Sequence, residues 1–461
     1  YFDYPSFRKF DGISLQYNAV NSALNEESLI AVFPTGGGKS LTFQLPALMA
    51  GENIGGLTVV ISPLLSLMKD QVDNLYKKGI TTAAYINSLL NPIERKDTID
   101  KVLNGNVDIL YIAPESLRSR TIERLLLKRQ VVRFVIDEAH CFSTWGHDFR
   151  VDYLYIGDFI KNLMKKKELT RTIPVSCFTA TAKQDVIDDI KNYFNDKLDL
   201  SMKIFKTESG RKNLEYNVIK VDEEEDRYYK LRNLLEGDSS PTIIYASRTK
   251  IINKLHERLN KDNFKASKFH GKMDNDEKIL NQNEFMEGKT NIMVATNAFG
   301  MGVDKDDVKV VIHFNISDSL ENYVQEAGRA GRDERINGNC YILYNENDLD
   351  QHFELLRNSK ISRNEIAQVW TGIKKETNKR DNFTKTSLEI AKLTGWDIDQ
   401  IHDVETRVKT SILALEDANL IKRGMNSPKV FATSLLVKNM TEAIKLIESS
   451  ILYTNDDDKT V

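Results

Sequence analysis

Two short segments carry residues able to handle a polyphosphate. Pro34-Thr35-Gly36-Gly37-Gly38-Lys39-Ser40 follows an apolar run, Ile30–Phe33, and precedes a helical pattern from Leu41. Glycines let a backbone wrap phosphates with its N–H groups exposed, and the helix start beyond adds the positive end of a dipole. Lys39 can then reach the outer phosphates and Ser40 can ligate Mg²⁺. The general form of such a loop has glycine five residues before Gly38, where Phe33 stands here. Farther on, the apolar run Val131–Ile136 delivers Asp137 and Glu138 at its end. Ligands of open α/β sheets bind at that end of a strand. Asp137 reads as a Mg²⁺ holder, and Glu138 as the group that orients and deprotonates an attacking water. Together these segments read as an ATPase site. A third segment, Gln325 to Arg332, spaces Gln325, Arg329 and Arg332 by four and three residues. On a helix that spacing puts all three on one face. Guanidinium groups suit phosphates because their donor fork is planar and bidentate.

The elements that must hold these residues are legible as a repeated grammar. Residues 29–208 alternate β-branched runs (29–33, 57–62, 107–112, 131–136, 175–179) with helical patterns. Residues 240–345 do so again, with runs at 242–245, 266–269, 291–295, 308–314 and 340–344. Short strands separated by helices imply parallel sheets covered on both faces. The chain therefore reads as two α/β domains, 1–208 and 209–345, joined where glycines and an acidic cluster break the pattern between 205 and 240. After residue 346 the pattern turns helical. Residues 346–380 read as a connector. Helices at 386–395, 397–405 and 406–418, then a strand–turn–strand over 418–433, read as a winged-helix domain spanning 381–440, with a helical bundle that frays at its end as the alternative. Residues 441–461 read as a last helix and an acidic tail.

A length of 461 residues fits about three domains and supports a full core without metal or disulfide staples. The net charge of −3 excludes a polycation but leaves room for a local basic groove. Cys141, Cys177 and Cys340 are too few for a four-cysteine zinc site. They read as reduced thiols of a cytoplasmic, nucleoid-associated protein. No apolar run approaches the ~18 residues of a membrane span, so no membrane partner is expected. A start at Tyr1 reads as an internal or trimmed piece of a longer protein.

Asp137-Glu138-Ala139-His140 is a DEAH-type box, and around it the chain resembles RecQ-family DNA helicases of superfamily two. The resemblance covers about residues 1–345 and implies two RecA-like domains using ATP and Mg²⁺. Phe2-Asp3-Tyr4-Pro5-Ser6-Phe7-Arg8 resembles the family's opening motif, which implies that Tyr4 and Arg8 sandwich adenine and Gln16 reads its edge. Seven residues separate Arg8 from Gln16, where the family has two. Residues 60–71, ending Lys69-Asp70-Gln71, and 111–117 resemble segments that line the DNA path, implying a phosphate contact from Ser62. Backbone N–H groups and small hydroxyls can hold phosphate without net positive charge.

Cys141–Arg150 resembles the family's aromatic-rich loop. Phe142, Trp145 and Phe149 are expected to stack on unpaired bases, and His147 and Arg150 to contact phosphate or relay DNA binding. Ser176–Ala182 resembles the coupling motif. Residues 295–304 resemble the fifth motif, placing Gly302 and Asp304 at the nucleotide. Ser247, Arg248 and His270 are the phosphate contacts expected in the second domain. By the same resemblance Arg332 is the arginine finger and Arg329 a second γ-phosphate contact.

The implied activity is ATP-dependent 3′→5′ translocation on single-stranded DNA with duplex unwinding, in DNA repair or recombination. The expected partners are single-stranded and duplex DNA, other domains of a longer chain, and DNA-repair proteins. The chain departs from the family after residue 345. RecQ proteins carry a four-cysteine zinc module there, and no cysteine follows Cys340, so no zinc is expected. Two other readings stay open: an RNA helicase, and an ATP-gated DNA clamp or translocase module of a repair or defence protein that does not unwind.

Overall fold

The structure is a computed structural model. It describes residues 1–426 other than 11, 89, 143–150, 181–182, 208–210, 298, 300–304, 334, 351–360, 379–381, 397–403 and 419. Seven described strands form the first sheet: β1 Ser28–Val32, β2 Leu57–Ile61, β3 Ala83–Ile86, β4 Ile109–Ile112, β5 Val131–Ile136, β6 Val175–Thr179 and β7 Met202–Lys206. They lie in the order β3-β4-β2-β5-β6-β1-β7, all parallel. β1, β2, β4 and β6 are buried along their whole length. That is why they read as unbroken apolar runs: helices cover both faces, so no face is left for polar alternation. Two apolar clusters, one on each face, form the core.

The strand order sets the site. The phosphate loop leaves β1 and the acidic pair leaves β5, with β6 between them. Two strand spacings put their ends about 10 Å apart, room for a triphosphate, and Thr179 at the end of β6 stands in the gap.

The second sheet holds β8 Leu214–Lys220, β9 Thr242–Tyr245, β10 Ala266–Phe269, β11 Ile292–Ala295, β12 Val310–His313 and β13 Gly338–Tyr344. Its order is β10-β11-β9-β12-β13-β8, again all parallel. The chain passes from one sheet to the other between Lys206 and Leu214.

Three strands, β3, β7 and β8, were not among those expected from sequence. β7 and β8 are edge strands, with exposed Lys203, Ile204, Glu215 and Tyr216, so their apolar signal is diluted. β3 is four residues long and half alanine.

The last described part is helical. Arg363–Thr377, Ser387–Thr394 and Val404–Asp417 pack around Val369, Ile373, Ile390, Trp396, Val408 and Leu415. Ser362 with Glu365, and Thr386 with Glu389, form reciprocal caps that start the first two helices. The third is one helix from Val404, where two (397–405 and 406–418) were expected; 397–403 lies outside the described residues. Residues 420–426 form no strand, and 427–461, with the rest of the expected wing and tail, lies outside the described residues. The helical unit is tied to the first domain by Arg423, which pairs with Glu416 at 2.7 Å and Asp152 at 3.7 Å. Among the described residues no helix is long and apolar enough to cross a membrane.

Candidate active site

The loop after β1 turns directly into helix Lys39–Ile54. Gly36 and Gly38 hold φ angles of 76° and 78°, the left-handed region in which a side chain is strained. A Cβ on Gly38 would also collide with the Gln16 amide. That amide is engaged at both ends. Its Oε1 accepts from the Arg8 N–H at 2.7 Å, and its Nε2 donates to the Gly38 carbonyl at 3.0 Å. The Arg8 guanidinium donates to the Gly36 carbonyl. Arg8 and Gln16 therefore brace the phosphate loop. Tyr4 does not join them. It is exposed, its hydroxyl accepts from Lys78 Nζ at 2.8 Å, and that ammonium lies 4.6 Å over its ring. The expected adenine sandwich of Tyr4 and Arg8 is not preformed, because the two side chains serve different partners.

Asp137 and Glu138 follow β5. Asp137 Oδ1 accepts the Glu138 N–H at 3.0 Å, and the Tyr153 hydroxyl donates to the Asp137 carbonyl at 2.9 Å. Burial, and then the adjacent Glu138 carboxylate, raise the pKa of the Asp137 carboxyl, with Lys39 pulling the other way. Glu138 has φ 48°, a sparsely populated backbone state that the surrounding structure must enforce. Its Oε2 lies 3.3 Å from His140 Nδ1, which is 3.0 Å from Thr179 Oγ1. Both contacts fall on this one nitrogen, so His140 gathers the second acid of the box and the end of β6 at a single ring edge. The sequence gives His140 its motif but not this role, and nothing in it singles out Tyr153.

Lys39 sits between the charges. Its Nζ donates to the Phe33 carbonyl at 3.3 Å. Burial lowers its pKa first; Glu138 and Asp137 oppose the shift, and Arg332 and Arg329 add to it. Both arginines of the second domain therefore act on the lysine of the first. The two segments also approach one another closely. A Cβ on Gly36 would lie 3.8 Å from Arg332 Cγ, and one on Gly328 would lie 3.2 Å from Thr35 Cβ. Arg329 also reaches the Tyr245 hydroxyl, which donates to the Phe299 carbonyl at 3.1 Å.

The shared helical face of Gln325, Arg329 and Arg332 does not exist. Helix Leu320–Ala327 carries Gln325 and ends before both arginines. Gly328 caps it, and Gly331 at φ 53° turns the chain. The arginines come from a turn, and they meet the phosphate loop by that route.

Several expected DNA contacts are corrected. Ser62 is buried and its Oγ lies 3.4 Å from Asp137 Oδ2, so it serves the acidic pair. Phe142 is a core residue, packed on Tyr153, Tyr193 and Phe194 with ring centroids 4.9 to 5.3 Å apart, and has no free face for a base. His270 is 5% exposed, with Nε2 3.3 Å from Asn253 Oδ1. Ser247 and Arg248 are exposed at the end of β9. Ser247 lines a small polar cleft with Thr296, Asn315, Ser317 and Glu326. Trp145, His147, Phe149, Arg150, Gly302 and Asp304 lie outside the described residues.

The donor set fits a nucleoside triphosphate with a divalent cation. Lys39, Arg329 and Arg332 share one cleft, where an ammonium and two guanidinium forks suit the oxygens of a polyphosphate. Ser40 and the desolvated Asp137 carboxylate offer oxygen ligands of the kind Mg²⁺ takes. Among the described residues no cluster of three or more His, Cys, Asp or Glu could hold a metal ion.

Comparison with known proteins agrees with this geometry. Residues 13–190 match the DEAD/DEAH box helicase family, and residues 226–334 match the helicase conserved C-terminal domain. The chain is 34% identical over 383 residues to the Bacillus subtilis protein described as "Probable ATP-dependent DNA helicase RecS", covering 83% of this chain and 72% of that protein. It is 38% identical over 352 residues to the ATP-dependent DNA helicase RecQ of the same organism, covering 76% of this chain but 56% of that one. Among solved structures, the DNA-bound helicase MrfA is similar with a TM-score of 0.60 at 19% identity, over 75% of this chain and 48% of that chain. That likeness shows the fold of two tandem RecA-like domains. With the phosphate loop, the acidic box and the arginine turn meeting in one cleft, this chain belongs to the RecQ family of DEAD/DEAH-box helicases.

Proposed function

We propose that the chain is the motor of an ATP-driven DNA helicase that moves 3′→5′ along one strand. The observation that carries this reading is the contact of the arginine turn with the phosphate loop: Gly328 against Thr35, with Arg329 and Arg332 acting on Lys39. Lys39 holds the outer phosphates. Ser40 and Asp137 would hold Mg²⁺, which supplies charge neutralisation at the phosphoryl oxygens. Glu138 orients a water and takes its proton as the water oxygen bonds to the γ-phosphorus and the bond to the ADP oxygen breaks. Arg329 and Arg332 stabilise the charge that develops on the leaving phosphates. Their removal from the cleft after hydrolysis opens the domains and shifts the grip on DNA.

The link to DNA runs through His140 and Thr179, which connect Glu138 to the end of β6. Single-stranded DNA binds across the exposed ends of both sheets, with Ser247 and Arg248 in the second domain and Trp145 and Phe149 offering stacking faces in the first. Residues 381–440, expected as a winged-helix domain, contact the duplex. ATP hydrolysis measured with single-stranded DNA and with RNA of the same sequence tests the reading. DNA is expected to stimulate hydrolysis and RNA to leave it near its basal rate; preferential stimulation by RNA would overturn the DNA assignment.

A further inference from the structure

The connection between the two sheets does more than join them. Arg211 and Asn213 lie in it, just before β8. Arg211 donates from NH1 to the Gly328 carbonyl at 2.8 Å. Asn213 Nδ2 donates to the carbonyls of Gly331 at 2.8 Å and Ile336 at 2.7 Å. The Asn213 backbone carbonyl accepts from the Gly338 N–H at 2.8 Å. The two side chains are themselves paired, with Arg211 Nε and NH2 each 3.3 Å from Asn213 Oδ1.

Two of the carbonyls served stand immediately before the arginines, Gly328 before Arg329 and Gly331 before Arg332. The last helical carbonyls, those of Val324, Glu326 and Ala327, accept from the N–H groups of Gly328, Arg329 and Ala330, and the connection serves the carbonyls that follow them. The guanidinium holds the turn at Gly328 and the amide holds it at Gly331, two residues whose backbone has the widest conformational freedom. Arg211 also adds a cation beside Arg332, in a cleft already crowded with positive charge.

We infer that Asn213 and Arg211 are positioning residues for the arginine turn, splinting it to the interdomain connection so that domain closure delivers Arg329 and Arg332 to the γ-phosphate as one rigid unit. The inference rests on the ATPase reading above. It assigns these residues no contact with nucleotide or DNA, so their loss acts on turnover and not on binding.

The test is steady-state ATP hydrolysis with saturating single-stranded DNA, alongside the affinities for a fluorescent ADP analogue and for the DNA strand. Asn213→Ala and Asn213→Asp both remove the two N–H donors, and the second keeps the shape and the acceptor for Arg211. Both are expected to lower kcat about tenfold or more, with KM for ATP and both affinities within about twofold of the parent. In an Arg329→Ala/Arg332→Ala background, Asn213→Ala is expected to add no further loss, because residues acting as one unit are not additive. Should Asn213→Ala fail to fold, Arg211→Lys, which keeps the charge and stem but not the fork, reads the same split of kcat from KM. A parental kcat in Asn213→Asp, or a fully additive loss in the arginine-free background, would overturn the inference while leaving the ATPase reading intact. Unchanged hydrolysis in Arg332→Ala would instead remove the ATPase reading, and this inference with it.

Discussion

Gly328 of the second domain sits so close to Thr35 of the first that a Cβ on the glycine would lie 3.2 Å from the threonine Cβ. The same Cβ would meet the Val324 carbonyl at 2.9 Å. The contact is the closure point of the cleft, and only the smallest residue fits it. Gly328→Ala is therefore expected to hold the arginine turn away from the phosphate loop and lower ATP turnover by roughly tenfold or more. Phosphate release under saturating ATP and DNA checks this; parental turnover would show that the contact is not part of the working cycle.

Glu138 and Lys39 divide the work of hydrolysis. Glu138→Gln keeps the shape but removes the base, so turnover is expected to fall about 100-fold or more while ATP still binds. Lys39→Ala is expected to weaken ATP binding as well. A fluorescent ATP analogue and single-turnover hydrolysis separate the two effects, and an active Glu138→Gln enzyme would sink the catalytic assignment.

The His140 Nδ1 faces both Glu138 Oε2 and Thr179 Oγ1. Thr179→Val removes the hydroxyl beside that nitrogen while keeping the buried shape. The ratio of DNA-stimulated to basal ATPase rate is expected to fall roughly fivefold or more, within the range of a lost hydrogen bond to a charged network. An unchanged ratio would mean that the signal from DNA takes another route.

Asp70 gives a stability prediction independent of catalysis. Burial, and then the neighbouring Asp73, push its pKa up to about 6 from an ordinary 3.8. A carboxyl with a raised folded pKa binds its proton more tightly in the native state. Its contribution is therefore most favourable below pH about 4 and is lost as the pH rises towards 6. Asp70→Asn is expected to raise the melting temperature by a few degrees (about 2–4 °C) at pH 7.5 and by less at pH 4.5. Equal shifts at the two pH values would contradict the buried-carboxylate account.

Much of the site was legible because its chemistry is local. The phosphate loop and the acidic pair each occupy consecutive residues at the end of an apolar run, and strand ends are where such groups must sit. The arginine turn was legible in identity but not in shape, since helical spacing carried no warning that Gly328 and Gly331 end the helix. Phe142 was misread because an aromatic beside an aromatic loop can face the core or the solvent, and composition does not separate them. Ser62 and His270 failed for a related reason: a polar residue at a strand end reads as a contact, and only the fold shows it turned inward. Arg211 and Asn213 could not have been found at all. They meet Gly328 and Gly331 across 117 and 118 residues of chain, a pairing that exists only once β8 docks beside β13.

The central claim is that hydrolysis in this cleft drives directional strand separation. Displacement of a labelled strand from 3′-tailed, 5′-tailed and forked duplexes, with ATP and with Glu138→Gln as control, tests it most directly. The account predicts ATP-dependent displacement from the 3′-tailed and forked duplexes, little from the 5′-tailed one, and none with Glu138→Gln. DNA-stimulated ATP hydrolysis without displacement of any of the three would contradict it and identify the chain as a non-unwinding translocase or clamp.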